Sequence, residues 1–181
     1  MPSSQQKFFG GMFLSLSAAV LFVGLAAAID GNQMKPSSAR VLARSAAVAL
    51  GSQSVSVDLP VTAATRDRLR HRAAGTQVQL VIFKFAARQQ PGASFRIYLG
   101  LSDGAAPDQE HFVDTINFFN AVGLDAQPPP HPPSVNFDVS ALVTRLVATS
   151  NPRAFRVTVV PDGPVAPGSD PRISALMLVE S

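Results

Sequence analysis

The chain has 181 residues, of which 46% are hydrophobic and 15% are charged, and its formal net charge is +3. This composition excludes a disordered acidic or basic tail, and the small positive charge gives little support for nucleic-acid binding. The chain contains no cysteine, which excludes disulfides, thiolate metal sites and a cysteine nucleophile. Its 15 prolines and 12 glycines indicate many turns, as in a β domain.

Residues 12–29 form an uncharged, mostly apolar segment that is typical of proteins sent to or through a membrane. Two interpretations stay open for this hydrophobic helix. Ala26, Ala27 and Ala28 at its end fit the cleavage site of a signal peptide, whereas an uncleaved segment would be an N-terminal transmembrane anchor. Either interpretation predicts an extracytoplasmic protein that is secreted, periplasmic or anchored in the membrane.

The predicted organisation has three parts. Residues 1–29 are the signal peptide or anchor, and residues 30–51 are a linker rich in alanine and serine, with a short helix over 39–50. Residues 52–181 form one domain, because this length supports a single hydrophobic core.

The hydrophobic pattern of this domain repeats every two residues, as in half-buried strands. Residues 77–85 are apolar on both faces, which indicates a central strand. One face has Val78, Leu80 and Ile82, and the other has Val81, Phe83 and Phe85. One helix is expected over residues 141–148. The predicted strands cover residues 55–59, 77–85, 94–101, 111–120, 136–140, 154–160 and 172–180. The fold class is therefore mainly β, an antiparallel β-sandwich of about six to seven strands.

The alternation also predicts which side chains form the core. They lie on apolar faces of their strands and should be largely buried. They are Phe83, Phe95, Ile97, Phe112, Ile116, Phe118, Phe137, Val157, Val159 and Leu176.

Several local patterns resemble functional motifs but have simpler explanations. The arginine-rich residues 65–72 lack interleaved aromatic residues, so we interpret them as a solvated connector rather than an anion-binding surface. The proline-rich residues 128–133 predict a rigid polyproline II loop. The acids Asp103, Asp108, Glu110 and Asp114 lack the spacing of a calcium loop. We predict no catalytic, metal-binding or cofactor-binding residue, and no cofactor.

Five blocks in the domain resemble a known module in both sequence and order. They are residues 54–60, 95–99, 111–121, 135–142 and 156–161. The chain resembles the C-terminal β-domain of bacterial tyrosinase-like proteins, which is related to the Lys-Phe-Asp-Val domain of plant polyphenol oxidases. The similarity covers roughly residues 52–181. Asn136-Phe137-Asp138-Val139 takes the place of the plant signature, with asparagine for lysine.

The resemblance implies a β-domain without its catalytic half. In that family a separate copper domain binds two coppers through six histidines, whereas this chain has His71, His111 and His131 alone. No pair has the His-x-x-x-His spacing of a helical metal site, so the chain is not expected to be an enzyme. In the family this β-domain lies against the copper domain and can shield its site.

The sequence supports three functional hypotheses. The first is an exported, non-catalytic accessory module that docks on or shields a separate tyrosinase-like copper oxidase. The second is a cell-surface binding domain for a small ligand or polysaccharide. The third is a weak enzyme that uses the loop acids and His111. Expected partners are the copper protein and, through residues 12–29 if they are retained, the membrane; nucleic acid is not expected.

Overall fold

A computed structural model describes residues 39–122 and 132–181 of the chain. Nine strands and two helices follow one another along these residues. In chain order they are β1 Arg40–Arg44, β2 Val48–Ala49, β3 Val55–Pro60, α1 Ala63–Arg70, β4 Val78–Ala86, β5 Phe95–Leu99, β6 Phe112–Ile116, β7 Val135–Asp138, α2 Ser140–Ser150, β8 Ala154–Pro161 and β9 Arg172–Glu180.

The strands form two antiparallel sheets. The first has the order β1-β9-β4-β7, with β2 also paired to β9, and the second has the order β3-β8-β5-β6. Apolar side chains from both sheets join one core, in which Ile82 of β4, Ile97 of β5 and Val157 of β8 are 0% exposed. The predicted antiparallel β-sandwich is therefore confirmed, with β4 as a central strand between β7 and β9.

The core prediction is right for most of its residues and wrong for three. Phe83, Phe112 and Phe137 are only half-buried, whereas the other seven side chains lose nearly all contact with solvent. Phe112 and Phe137 lie on β6 and β7, which are edge strands of their sheets. A residue on an edge strand has a neighbouring strand on one side alone, so part of its side chain stays in water.

The predicted faces of β4 are wrong beyond Phe83. Leu80 and Ile82 face the core as expected, but Phe85 is also buried, although it was assigned to the opposite face. Lys84 has a left-handed backbone with φ of +49°, and its N–H donates to Ser134 Oγ at 2.9 Å. The pairing with β9 keeps its register across Lys84, so the left-handed backbone of this one residue reorients the following side chain and Phe85 turns inward.

The prediction of a helix over residues 39–50 is also wrong. This stretch forms β1 and β2, both of which pair with β9 near the end of the described chain. Ser45 N–H donates to Leu176 O, and Leu176 N–H donates to Ser45 Oγ, both at 2.9 Å. Because these contacts join distant parts of the sequence, the local composition does not reveal them. The first sheet thus begins inside the segment predicted as a linker.

The two helices pack next to each other beside the sheets. The predicted helix is confirmed as α2, which buries Val143, Leu146 and Val147. Asp138 Oδ1 accepts a hydrogen bond from the N–H of Ser140, the first residue of α2, at 2.8 Å. The expectation of a single helix is wrong, because part of the arginine-rich connector forms α1. Thr62 caps α1 by accepting a hydrogen bond from Thr65 N–H at 3.1 Å.

The described residues contain no helix that is long and apolar enough to cross a membrane. The apolar segment predicted as a signal peptide or anchor, residues 12–29, lies outside the described residues. The proline-rich loop also lies mostly outside them, and so does His131.

Candidate functional site

The arginine-rich segment makes contacts within the domain. Arg68 pairs with Glu180 at 3.3 Å, and Arg70 pairs with Asp67 at 3.0 Å. Arg72 Nη2, two residues after the end of α1, donates to Thr144 Oγ1 of α2 at 3.1 Å. These contacts give several arginines of the cluster partners within the domain, so the segment is not merely a solvated connector.

The two described histidines each bond to a neighbour in their own segment. His71 Nδ1 lies 2.9 Å from the carbonyl oxygen of Asp67, at the end of α1. His111 Nδ1 lies 2.8 Å from Asp108 Oδ1, and this hydrogen bond lowers the pKa of the Asp108 carboxyl. Within residues 39–122 and 132–181, no three histidines or acids come close enough together to hold a metal ion.

One end of the sandwich is a cluster of three loops, which we call the loop end. It consists of residues 87–94 after β4, residues 117–122 after β6 and residues 162–171 after β8. Main-chain hydrogen bonds join the loops: Ala87 N–H donates to Ala121 O, Arg88 N–H to Ser169 O and Ala166 N–H to Pro91 O, all within 2.9 Å. Each of the three loops is therefore hydrogen-bonded to another loop of the same end.

Phe119 projects from this loop end into solvent. Its residue is 76% exposed, whereas Phe118 before it is 1% exposed. Phe118 packs edge-on against Phe85 and Phe95 in the core, with ring centroids 5.3 and 5.5 Å apart. Gln90 Nε2 donates to the carbonyl oxygens of Phe118 and Phe119, both at 3.3 Å, and so fixes the turn. A surface cavity of about 360 Å³ lies beside it, lined by Gln90, Gly92, Ala93, Ser94, Asn117, Phe118 and Phe119.

The loop end also carries an ion-paired trio with two cations and one anion. Arg88 and Arg172 both pair with Asp170, Arg88 at 3.4 Å. The arginine side chains are 67% and 63% exposed, and the aspartate is 33% exposed. The hydrogen bond from Arg172 lowers the pKa of the Asp170 carboxyl. The trio adds one net positive charge to the surface.

The opposite end of the sandwich has a larger open cavity, of about 430 Å³. Leu101, Leu146 and Phe155 line it and are at most 8% exposed. Its rim includes Asp58, Asp103 and Arg156. Arg156 Nε donates to Asp58 and Arg156 Nη1 pairs with Asp103, both at 2.9 Å. Two carboxylates around one guanidinium give this rim one net negative charge.

Sequence reasoning did not identify Phe119. Residues 111–120 were predicted as one strand, but β6 ends at Ile116 and the chain then turns. Asn117 and Asn120 flank the phenylalanine pair, and asparagine is a frequent turn residue. That signal could have indicated that one of the two phenylalanines is displayed on a turn.

By its fold the domain is a small antiparallel β-sandwich with connecting loops at both ends. Solved structures similar to this chain include the recombinantly expressed latent aurone synthase (polyphenol oxidase), with 15% identity and a TM-score of 0.46 over 74% of this chain and 25% of that one. Latent apple tyrosinase has 13% identity and a TM-score of 0.46 over 75% of this chain and 27% of that one. No family model and no curated protein matches the chain.

The chain thus spans about a quarter of the length of these solved structures. They are polyphenol oxidases and tyrosinases, the family to which the sequence resemblance points. At these identities and TM-scores the likeness assigns no activity, substrate or partner to this chain.

Proposed function

We propose that this protein is an exported, non-catalytic accessory module that docks on a separately encoded tyrosinase-like copper oxidase. The observation that carries the proposal is Phe119, a large aromatic side chain that is 76% exposed on a fixed turn. Aromatic side chains, phenylalanine among them, are enriched in the cores of protein–protein interfaces relative to the rest of the surface.

The geometry of the turn favours docking because little order has to be gained on binding. Phe118 anchors the turn in the core, and Ala121, three residues further on, is 0% exposed. Gln90 holds the two carbonyl groups between them. A side chain that already stands on a rigid support loses less conformational entropy in a complex than one on a flexible loop.

The identity of the partner rests on the sequence resemblance. In the resembled family the β-domain lies against the copper domain, and the oxidases found as similar structures are described as latent. This chain has three histidines, whereas the two coppers of that family need six. In this proposal the copper site is therefore on a separate chain, and this domain binds to that chain.

The apolar segment at residues 12–29 supports an extracytoplasmic location for the pair. In this proposal the module leaves the cytoplasm as a secreted or periplasmic protein, or it stays attached to the membrane by that segment. Its partner would then be an oxidase that is exported too.

The test is a binding measurement between the purified full chain and a tyrosinase-like copper oxidase encoded by the same cell. Calorimetry should give a saturable one-to-one complex, and the oxidation of a catechol by the oxidase should change when the complex forms. An unrelated copper protein is the control. Absence of binding at micromolar concentrations of both proteins, or equal binding to the control, would overturn the proposal.

A further inference from the structure

We propose that two copies of this protein associate head to tail, with Phe119 of one copy seated in the cavity at the opposite end of the next. This inference goes beyond docking on an oxidase, because it assigns a second partner to the same turn. It joins two features at opposite ends of one domain, an exposed apolar side chain and an open cavity with an apolar floor.

The two features lie at opposite ends because β5 and β8 run from one to the other. Ser94, just before β5, lines the cavity beside Phe119, and Asp162 N–H, just after β8, donates to Ser94 O. At the other ends of these strands, Gly100 and Ala154 line the cavity of about 430 Å³. A single copy therefore presents the phenylalanine on one surface and the cavity on another.

The cavity suits an aromatic side chain. Its floor is formed by Leu101, Leu146 and Phe155, which are buried by the fold but line the opening. Gly100 has φ of +89° and no side chain, and a Cβ atom there would lie 2.6 Å from Leu146 Cδ1. Because Gly100 has no Cβ atom, its backbone can lie close to the side chain of Leu146. A phenyl ring placed there would leave water and contact aliphatic and aromatic groups.

The ion-paired trios at the two ends of the domain carry opposite excess charges. The trio of Arg88, Asp170 and Arg172 at the loop end has one excess cation, and the trio of Asp58, Asp103 and Arg156 at the cavity has one excess anion. Asp103 is 94% exposed, and it is the outermost group of its trio. Opposite charges around an apolar contact guide the orientation of two surfaces and disfavour the reversed arrangement.

A contact between different surfaces of identical chains does not close on itself as a two-fold dimer does. In a pair, one copy keeps a free Phe119 and the other keeps a free cavity. Further copies can bind at both ends of the pair, so the association can extend along a row. A Phe119 that is seated in a neighbouring copy is not available to an oxidase. Self-association and docking on the oxidase are therefore mutually exclusive uses of the same turn.

The test is sedimentation velocity of the purified full chain over a concentration series, with the same mild detergent in every sample. The wild type should associate increasingly with concentration. Phe119→Ala should weaken the association about tenfold or more, as expected for an interface anchor, and so should the charge reversal Asp103→Arg. Both side chains are exposed, so both variants should fold. Val41→Ala, which shortens another exposed apolar side chain on β1, should associate like the wild type.

The deciding sample mixes the two defective variants. Phe119→Ala keeps an intact cavity and Asp103→Arg keeps an intact phenylalanine, so an equimolar mixture should form pairs that neither variant forms alone. A monomeric wild type at every concentration would overturn the proposal. A mixture that stays monomeric, or self-association that survives Phe119→Ala, would overturn it as well. None of these results depends on binding to the oxidase, which is measured separately.

Discussion

Phe118 and Phe119 are adjacent in the sequence, yet one is 1% exposed and the other is 76% exposed. Phe118 packs edge-on against Phe85 and Phe95 in the core, and Phe119 lies in solvent on the same turn. Phe118 therefore stabilises the fold, whereas Phe119 is accessible to another protein.

The two phenylalanines should therefore respond differently to truncation. Phe118→Ala should lower the free energy of unfolding by about 3–5 kcal/mol, because it empties a packed site. Phe119→Ala should change it by no more than about 0.5 kcal/mol, because its side chain is in water in the isolated chain. Urea denaturation followed by circular dichroism measures both values. Similar losses in the two variants would contradict the assignment of the buried and exposed faces.

A side chain at Gly100 should be destabilising. Gly100→Ala is expected to cost about 2 kcal/mol or more, since the new Cβ atom would lie 2.6 Å from Leu146 and the φ of +89° is left-handed. Gly104 is a matched control, because its φ of +70° is also left-handed but nothing lies within 4 Å of an added Cβ atom. The difference between the two variants in thermal denaturation isolates the contact with Leu146. Equal losses would mean that the approach to Leu146 is not tight.

The pair between Asp58 and Arg156 should make stability depend on pH. The Arg156 hydrogen bond lowers the pKa of the Asp58 carboxyl in the folded chain. The pair therefore contributes its full stability above the unfolded pKa of about 4, and this contribution is lost as the pH falls through the lower folded pKa. Since both side chains are partly exposed, we expect less than about 1 kcal/mol.

The variant Asp58→Asn tests this dependence. It should be less stable than the wild type at neutral pH, and the difference between the two should shrink in acid. Denaturation midpoints at a series of pH values measure it. A difference that stays constant down to about pH 2, well below the usual aspartate pKa, would show that the ion pair is not its cause.

The purified chain should neither retain stoichiometric copper nor oxidise a phenol. Two paired coppers need six imidazoles, whereas the chain has three histidines and no cysteine. Metal analysis after dialysis against copper, beside a variant with all three histidines changed to alanine, tests this. About one equivalent of bound copper that disappears in the variant would contradict the non-catalytic interpretation.

The sequence predicts the strands of this fold well where apolar residues dominate a long stretch. The predicted strand at 172–180 has the same bounds as β9, and the strand predicted at 154–160 differs from β8 by one residue. A predominantly apolar stretch of this length between turn residues is typical of a buried strand, so the local pattern is sufficient to predict it.

Local patterns are insufficient where the structure depends on distant partners or on one unusual residue. The strands β1 and β2 exist because β9 provides hydrogen bonds, and their alanine-rich sequence does not predict this. The helix α1 buries Leu69 alone, so it has almost no apolar period. The left-handed Lys84 reverses the face of Phe85, and a lysine gives no indication of that conformation. The display of Phe119 depends in the same way on Gln90, which comes from another loop.

The central claim is that Phe119 anchors docking on a tyrosinase-like copper oxidase, and the most direct measurement compares the affinities of two variants for that enzyme. Phe119→Ala should raise the dissociation constant by about 30-fold, which corresponds to about 2 kcal/mol for an interface anchor. Val41→Ala, a truncation at the other strongly exposed apolar residue of the described chain, should leave it unchanged. Calorimetry with the copper-loaded oxidase gives both constants. Unchanged affinity for Phe119→Ala, or an equal loss for Val41→Ala, would contradict the account.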